Sequence, residues 1–377
     1  MNTAFDVIIV GGVIAGSSTA IRLAQLFNSA AATWKKILVI DERTTNTEIL
    51  KVGESLPGET KHILKSLGVF EAVNNSLRSS NELHDTSTIF NAYGNGFHLN
   101  RFLFDETLLV VKTTELHHDR FITIIRDSVT KSLLEKNGDG EKYWKISISS
   151  NELPIHGNIP SMQVAVAASF ENTTIPSWSP ALSDGGTRVF YLTSNESLFS
   201  IPVKHINKKR KIRQVEEFCE FIKETTTHIT KCISEHAYHP VGKRIMCMPA
   251  NSESLSQFAL NLHMSVYIQI QSKPASYENR WIAIGDSAAS FDPLSSQGML
   301  TALYSAKLGA EAIFFQYFNG KKTNNKEITV QPLENFQQYI ENTFRKYKSE
   351  KSFFYNKEQR WNNEVFWKRR HEDHIEK

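Results

Sequence analysis

The first forty residues combine two short apolar runs with one helical stretch. Residues 5–10 (FDVIIV) form a β-branched run that ends at two glycines, and residues 37–40 (ILVI) form a second run. Between them, residues 15–27 space their apolar side chains along one helical face. Short apolar, β-branched runs are typical of a parallel sheet that is covered on both sides. The order strand, helix, strand therefore predicts a βαβ unit.

The remaining apolar spacing predicts further helices and strands. Helical spacing occurs over three stretches, residues 58–77, 104–115 and 214–235. Strand-like alternation occurs over residues 162–202, with a hairpin turn at Asp184-Gly-Gly, and over residues 262–271. Residues 118–150 are expected to form strand, helix and strand, with a turn at Asn137–Gly140. The last sixty residues are helix-rich and strongly charged.

A second glycine-containing segment lies far from the first. Residues 280–284 (RWIAI) are apolar, and residues 285–298 (GDSAASFDPLSSQG) are small, polar and turn-forming. Helical spacing resumes at residues 299–304 (MLTALY). The pattern predicts a buried strand, a polar elbow and a helix. Such an elbow can hold a small polar ligand at the start of the helix.

Composition and net charge indicate an ordinary globular protein and give no sign of a nucleic-acid-binding or membrane-spanning one. A chain of 377 residues with 40% apolar and 22% charged residues is ordinary for two or three packed globular units. The net charge of +3 gives no ground for a nucleic-acid partner, although the basic run at 204–213 could steer an acidic one. No apolar run reaches the roughly 18 residues that span a membrane. Asp6, before the first apolar run, argues against a secretory signal.

The three cysteines carry no sign of metal or disulfide chemistry. Cys219, Cys232 and Cys247 have neither metal-ligand spacing nor an even count. We therefore expect reduced thiols, a cytoplasmic location and no bound metal.

The first elbow has the features of a dinucleotide fingerprint. Gly11 and Gly16 occupy the first and third glycine positions of a GxGxxG pattern, with a strand before and a helix after. Free N–H groups at the start of that helix would face a diphosphate. Val13 replaces the second glycine, and we expect it to crowd the diphosphate. Asp41, directly after the second strand, is a candidate acceptor for the hydroxyls of an adenosine ribose.

Four motifs together resemble one protein family. They are GGVIAG (11–16), VGESLP (52–57), FNAYGNGFHLNRFLFD (90–105) and IGDSAASFDPLSSQG (284–298). In combination they resemble the flavin-dependent monooxygenases related to tryptophan halogenases. The tail YNKEQRWNNEVFWKRRH (355–371) is similar to a branch of that family. The branch contains maturation flavoproteins of lysine or cysteine tryptophylquinone amino-acid oxidases.

The resemblance implies a fold and a division into domains. The expected fold is α/β, with a Rossmann-like FAD-binding domain of the glutathione-reductase and p-hydroxybenzoate-hydroxylase type. Residues 1–150 and 275–325 would form that domain. Residues 151–274 would form a β-sheet substrate domain, and residues 326–377 a helical C-terminus.

The resemblance also implies which residues contact FAD. The first elbow would hold the diphosphate, and the second elbow would hold the ribityl chain. The start of the following helix would stabilise negative charge on the reduced ring. The implied cofactor-binding residues are Gly11, Gly12, Ala15, Gly16, Asp41, Gly53, Glu54, Ser55, Arg101, Gly285, Asp286, Pro293, Gln297, Gly298 and Met299. Arg101 matches the arginine that precedes the helix predicted over 104–115.

Candidate catalytic residues follow from position in the motifs. Glu54 and His98 are candidates for a general base, and Lys51 for stabilising oxygenated flavin or a phosphate. Halogenating members of the family use a lysine beyond the glycine–glutamate motif, whereas no lysine occurs here from Ser66 to Val111. Hydroxylation asks less of the protein, because the site must only exclude water and hold the ring near the cofactor. We therefore expect a monooxygenase.

The resemblance implies a protein substrate. We expect a tryptophan in the precursor of a quinone-cofactor amino-acid oxidase or amine dehydrogenase, with O₂ as co-substrate. NAD(P)H or a separate flavin reductase would supply electrons. Two alternatives stay open: a halogenase or hydroxylase of a small aromatic molecule, and a non-catalytic, chaperone-like protein with a degenerate flavin fold. Val13 and Ser149-Ser-Asn, where relatives carry a DATG-like turn, motivate the second alternative.

Overall fold

The fold is described from a computed structural model. The structure describes residues 5–30, 35–42, 54–73, 77–79, 96–99, 101–111, 122–138, 140, 142–149, 164–172, 187–193, 215–225, 230–231, 234, 238–240, 246–249, 254–255, 274–276, 280–291, 297–315, 326–357, 359 and 371.

The predicted βαβ unit is confirmed. Strand β1 (Val7–Val10) leads into helix α1 (Ile14–Ser29), and β2 (Ile37–Ile40) follows. β2 pairs in parallel with β1 on one side and with β6 (Ile122–Ile125) on the other. All four residues of β2 are buried, which is the environment that its apolar sequence predicts. The carboxyl ends of three parallel strands therefore lie along one edge of the sheet.

The helix predicted over 58–77 is wrong in its extent. The chain forms two short helices instead, α2 (Thr60–Ser66) and α3 (Phe70–Val73). Gly68 separates them with a φ of +67°. That left-handed conformation suits glycine and ends a helix, so the single long helix is interrupted.

The second family motif (52–57) contributes one strand to a small antiparallel sheet. It contains β3 (Glu54–Leu56), β4 (Leu77–Ser79) and β5 (Phe97–Leu99), with β5 in the middle. Helix α4 (Arg101–Glu106) follows and continues as a π-helical turn, Thr107–Val111. Arg101 is thus the first residue of the helix rather than a residue that precedes it.

The helix expected within residues 118–150 is also wrong. That segment forms two antiparallel strands, β7 (Ser128–Lys136) and β8 (Lys142–Ser149). Leu134 lies opposite Trp144, and such cross-strand contacts stabilise the hairpin over a short helix. The predicted turn is confirmed, because the Gly140 N–H donates to the Asn137 carbonyl at 2.9 Å.

A second antiparallel sheet forms in the middle of the chain. β9 (Val164–Asn172) pairs with β10 (Thr187–Thr193), β11 (Tyr238–Pro240) and β12 (Met246–Pro249). The β-structure predicted over 162–202 is thus confirmed for β9 and β10. The predicted turn at Asp184 and the predicted strand over 262–271 lie outside the described residues. Helix α5 (Val215–Thr225) confirms the described part of the helix predicted over 214–235.

The C-terminal third contains the second elbow and two long helices. β13 (Ser254–Leu255) pairs with β16 (Ala289–Ser290), and β14 (Ala275–Ser276) pairs with β15 (Trp281–Ile282). Helix α6 (Gly298–Ile313) follows the elbow. Helix α7 (Lys326–Lys357) confirms the helix-rich end. Within the part of the chain that the structure describes, no helix is long and apolar enough to cross a membrane.

Helix α6 packs against both α1 and α7 and joins three buried apolar clusters. Met299 shares the first cluster with Ile14 of α1, and Ala310 shares the second with Phe27. Ala312 shares the third cluster with Phe336 of α7. Burial of a phenylalanine side chain contributes about 1.5–3 kcal/mol, so these contacts hold the second elbow firmly against the βαβ unit.

Candidate functional site

The backbone of the first elbow requires two of its glycines. Gly11 has a φ of +100°, and its N–H donates to the Ile40 carbonyl at 2.8 Å. A Cβ on Gly16 would lie 1.8 Å from the Gly11 carbonyl oxygen. The first residue therefore needs glycine for its conformation, and the third needs it for space. No described atom lies within 4 Å of the position that a Cβ on Gly11 would take.

The N-terminus of α1 presents backbone N–H donors beside the first elbow. The first helical hydrogen bond runs from the Ser17 N–H to the Val13 carbonyl at 2.9 Å. The N–H groups of residues 14–16 precede it and belong to the turn that an α-helix leaves without intrahelical acceptors. The Ser17 hydroxyl donates to the Gly12 carbonyl at 2.6 Å and so fixes the loop below these donors. The arrangement suits an anion such as a phosphate.

Val13 occupies the second fingerprint position without backbone strain. Its φ of −81° and ψ of −165° are extended values that valine adopts readily. It makes no side-chain cap to the helix. The departure from glycine therefore affects only the space in front of the helix.

Asp41 lies beside the first elbow and is paired with an arginine. A Cβ on Gly12 would lie 2.8 Å from the Asp41 Cβ, so the two residues are in close contact. Asp41 is 3% exposed, and its Oδ2 accepts from Nη1 of Arg126. Nη2 of Arg126 donates to Glu106 Oε2 at 2.9 Å. The predicted ribose acceptor is thus part of a group of two carboxylates and one guanidinium.

The second elbow contacts the first directly. Gly285 has a φ of +60°, and a Cβ on it would lie 2.7 Å from the Ala15 Cβ. The Gly285 N–H donates at 2.9 Å to the Ser305 hydroxyl, which donates in turn to the Ala302 carbonyl at 3.1 Å. The Ser287 hydroxyl bonds the backbone of Ile284. Helix α6 therefore holds the second elbow against the N-terminus of α1.

Asp286 lies on this elbow near a positively charged side chain. Its carboxyl keeps access to solvent, yet protein atoms surround it. That burial raises its pKa, and the nearby Arg101 guanidinium opposes the rise in pKa less strongly. Nε of Arg101 donates to Asp105 Oδ1 at 3.0 Å, and Asp105 is fully buried. Asp286 is therefore a solvent-accessible carboxyl whose surroundings on the elbow favour its neutral form.

The second family motif lies close to both elbows. Leu56 shares a buried cluster with Ile14 of the first elbow and with Met299 of α6. The Tyr304 hydroxyl on α6 donates to Glu59 Oε1 at 3.0 Å. Three motifs that are remote in sequence therefore converge on one part of the molecule.

Two candidate catalytic residues lie on paired strands of this region. β3 and β5 place Ser55 opposite His98 and Glu54 opposite Leu99. Because directly opposite residues share a face of a sheet and successive residues alternate, this register places Glu54 and His98 on opposite faces, so it does not bring the two candidates together. Lys51 lies outside the described residues.

The other predicted cofactor residues lie around the start of α6. The Gln297 carbonyl accepts from the Thr301 N–H at 2.9 Å, and Gly298 begins the helix. Met299 is 7% exposed and packs inward. Gly53 and Pro293 lie outside the described residues.

One curated protein has a related sequence over part of the chain. LodB of Marinomonas mediterranea, described as an FAD-dependent oxidoreductase, is 36% identical over 93 residues. The match covers 25% of this chain and 22% of LodB, so the chain aligns with less than a quarter of that relative. No family model matches the chain.

Solved structures match almost the whole chain. The myxobacterial chondrochloren halogenase CndH has a TM-score of 0.62 at 18% identity, over 97% of this chain and 85% of CndH. PqsL of Pseudomonas aeruginosa, in complex with 2-aminobenzoylacetate, has a TM-score of 0.60 at 10% identity, over 90% and 93%. The peptidyl tryptophan dihydroxylase QhpG, essential for tryptophylquinone cofactor biogenesis, has a TM-score of 0.56 at 17% identity, over 98% and 79%.

The chain has the fold of the flavin-dependent monooxygenases and halogenases. The expected relationship and the α/β class are confirmed at the level of fold. The domain boundaries and the roles of individual site residues stay predictions.

Several residues of this site were not expected from the sequence. Arg126 pairs with Asp41 and with Glu106, and Ser305 holds the second elbow. The sequence does contain one indication of a role for Arg126. This residue directly follows the third parallel strand, just as Asp41 follows the second. Neighbouring parallel strands end at the same edge of a sheet. No sequence pattern marks Ser305, which is one of several small residues of α6.

Replacement of Asp286 by asparagine tests whether the protein raises the pKa of this carboxyl. A raised pKa changes the stability of the folded protein with pH. A raised pKa means that the folded state binds the proton more tightly than the unfolded state. Ionisation of Asp286 therefore costs stability as the pH rises from the unfolded pKa of about 3.9 through the folded pKa. We expect D286N to raise the melting temperature of the ligand-free protein at pH 7 and to lose this advantage near pH 4. Melting curves between these pH values check this, and a pH-independent difference would contradict it.

Proposed function

We propose that this protein is an FAD-dependent monooxygenase that hydroxylates a tryptophan side chain in a precursor protein during tryptophylquinone cofactor biogenesis. The observation that carries the proposal is the contact between Gly285 and Ala15. It brings the elbow suited to a diphosphate against the elbow suited to a sugar-alcohol chain. The fold, and the sequence similarity to part of LodB, support the same cofactor.

The residues present fit FAD. The space beside Gly11 is clear of described atoms, and the N–H groups of residues 14–16 can bind the diphosphate. Asp286 remains accessible and can accept hydrogen bonds from ribityl hydroxyls. Gly298 also has no described atom within 4 Å of a Cβ position, so a ring could approach the start of α6.

The chain's own residues would divide the chemical work. FAD supplies the activated oxygen that an electron-rich indole attacks. Arg101, fixed by the buried Asp105, would offset the charge of Asp286 and of the cofactor. The N-terminus of α6 would stabilise a negative ring by about 0.3–1 kcal/mol. Glu54 or His98 would take the proton lost from the attacked carbon.

The substrate class rests on two supports. QhpG acts on peptidyl tryptophan, and it shares the fold over almost the whole of this chain. The absence of lysine from Ser66 to Val111 disfavours the halogenase chemistry of neighbours such as CndH. O₂ would be the co-substrate, and NAD(P)H or a separate flavin reductase would provide the electrons.

Co-expression with the precursor of a tryptophylquinone oxidase or amine dehydrogenase tests the proposal. We expect the purified protein to be yellow and the precursor to gain oxygen atoms on one tryptophan, as detected by peptide mass spectrometry. An Asp286→Ala variant serves as a control that should leave the precursor unmodified. Halogenation of free tryptophan would support the small-molecule alternative. A colourless protein that binds an unmodified precursor would support the chaperone-like one.

Val13→Gly is expected to tighten FAD binding. Glycine removes the side chain in front of the diphosphate donors and is a better N-cap residue than valine, so the helix should not lose stability. We expect the dissociation constant of FAD to fall about 3- to 10-fold, or roughly 1 kcal/mol. Titration by flavin fluorescence measures it, with Val13→Ala as an intermediate. Equal affinity in all three proteins would show that Val13 does not crowd the cofactor.

A further inference from the structure

We propose that Arg126 is a positioning residue for the adenosine ribose: it orients the carboxylate of Asp41 within a group whose excess of carboxylates favours an unphosphorylated ribose. The inference rests on the proposed FAD site and extends it to the choice between nucleotide cofactors. Neither the sequence motifs nor the comparisons assign a role to Arg126.

Because Asp41 is buried, its carboxylate needs a positively charged partner. A carboxylate that is only 3% exposed loses most of its hydration, and an unpaired charge there would be strongly destabilising. Arg126 supplies the compensating charge to Oδ2, and its second amino group reaches Glu106 Oε2 at 2.9 Å. The guanidinium is thus held at two points, so it can hold the carboxylate in one orientation.

The backbone fixes both residues at the ends of neighbouring strands. The Asp41 N–H donates to the Ile125 carbonyl at 2.9 Å, and the Asp127 N–H donates to the Asp41 carbonyl at 3.0 Å. These bonds bracket Arg126 and continue the parallel ladder beyond β2 and β6. Asp41 also lies against Gly12 of the first elbow. The ion-paired group is therefore next to the place where the diphosphate would bind.

The charge of the group selects among riboses. Two carboxylates and one guanidinium carry a net charge of −1, and the side chains of Arg126 and Glu106 are 22% and 27% exposed. A carboxylate has about four lone-pair sites, so Asp41 can accept from ribose hydroxyls that displace the atoms now covering it, while Arg126 holds Oδ2. A phosphate on the ribose would meet net negative charge instead. The group therefore favours FAD or ADP over a 2′-phosphorylated nucleotide.

Binding measurements on Arg126 variants test the inference. We expect Arg126→Gln to weaken FAD and ADP binding by at least about tenfold and to leave FMN binding, which needs no adenosine contacts, within about twofold. Arg126→Lys keeps the charge without the two-point geometry and should fall between. It also serves if Arg126→Gln does not fold. Arg345→Gln is the matched control, because Arg345 is exposed and donates to Asn342 on its own helix.

The outcomes separate this inference from the proposed function. Isothermal titration calorimetry with FAD, ADP, FMN and 2′,5′-ADP gives the affinities, and melting curves report folding. Equal loss of FAD and FMN affinity would assign Arg126 a structural role only and overturn the inference. Unchanged FAD affinity, or 2′,5′-ADP binding as tightly as ADP, would overturn it and leave the flavoenzyme standing. A folded wild type that binds none of these ligands would overturn both.

Discussion

Replacement of Gly16 by alanine is expected to unfold the N-terminal elbow and abolish FAD binding. The added Cβ would lie 1.8 Å from the Gly11 carbonyl oxygen, 3.0 Å from its carbon and 3.1 Å from Ile9 Cγ2. The clash is with backbone, which cannot rotate away as a side-chain tip can. We expect the free energy of unfolding to fall by about 3 kcal/mol or more, because overpacking of a rigid site is at the upper end of its usual cost.

Urea unfolding of Gly16→Ala and of Gly138→Ala checks this expectation. Gly138 is exposed, has negative φ, and has no described atom within 4 Å of its Cβ position. The control should therefore be neutral or more stable by about 0.4–1 kcal/mol, since alanine restricts the unfolded chain. If Gly16→Ala were as stable as the control and still bound FAD, the described geometry of the elbow would be wrong.

The second large effect is expected at Gly285. Alanine there would adopt a φ of +60°, which costs about 1–2 kcal/mol. Its Cβ would also lie 2.7 Å from the Ala15 Cβ, and overpacking adds about 1–3 kcal/mol. We expect Gly285→Ala to lose about 2–5 kcal/mol of unfolding free energy and most of its FAD affinity, because the strain acts between the two elbows.

A double-mutant cycle with Ala15→Gly isolates the contact. Glycine at position 15 removes the opposing methyl group and costs at most about 1 kcal/mol by itself. It should rescue part of the Gly285→Ala defect, with a coupling energy of about 1–3 kcal/mol. The conformational cost of a left-handed alanine should remain. Additive effects in unfolding titrations would mean that the two elbows do not touch.

Local patterns in the sequence were enough to predict the βαβ unit. Strands β1 and β2 pair in a parallel sheet, in which all of β2 is buried, and their apolar, β-branched residues predict such strands without knowledge of the rest of the chain. Gly11 and Gly16 could be placed for the same reason, since the strand–turn–helix context is local. The contact of residues 11–16 with Gly285 could not be derived from spacing. It came from family resemblance, because no local pattern encodes a contact across 270 positions.

The errors have physical causes as well. The long helix predicted over 58–77 failed because Gly68 takes a left-handed conformation that apolar periodicity does not reveal. The helix expected within residues 118–150 was wrong because cross-strand pairing decides short ambiguous segments. Arg126 was missed because its role depends on β6 being next to β2, which is a fact of topology.

The ion-paired groups explain how the site can be charged and still folded. Asp41 and Asp105 are both buried, and each is paired with an arginine: Asp41 with Arg126, and Asp105 with Arg101 of its own helix. Each arginine thereby offsets a carboxylate whose burial would otherwise be costly. The same two arginines flank the predicted adenosine end and the predicted ribityl end of the cofactor. If these predictions hold, stability and ligand binding depend on the same side chains.

A crystal structure of the protein grown with FAD tests the central claim most directly. The account predicts one bound FAD whose diphosphate contacts the N–H groups of residues 14–16 and whose ribityl hydroxyls contact Asp286. It also predicts that Gly285 remains packed against Ala15 in that complex. FAD bound to only one elbow, or to a surface away from both, would contradict the claim that the two glycine segments form a single flavin site.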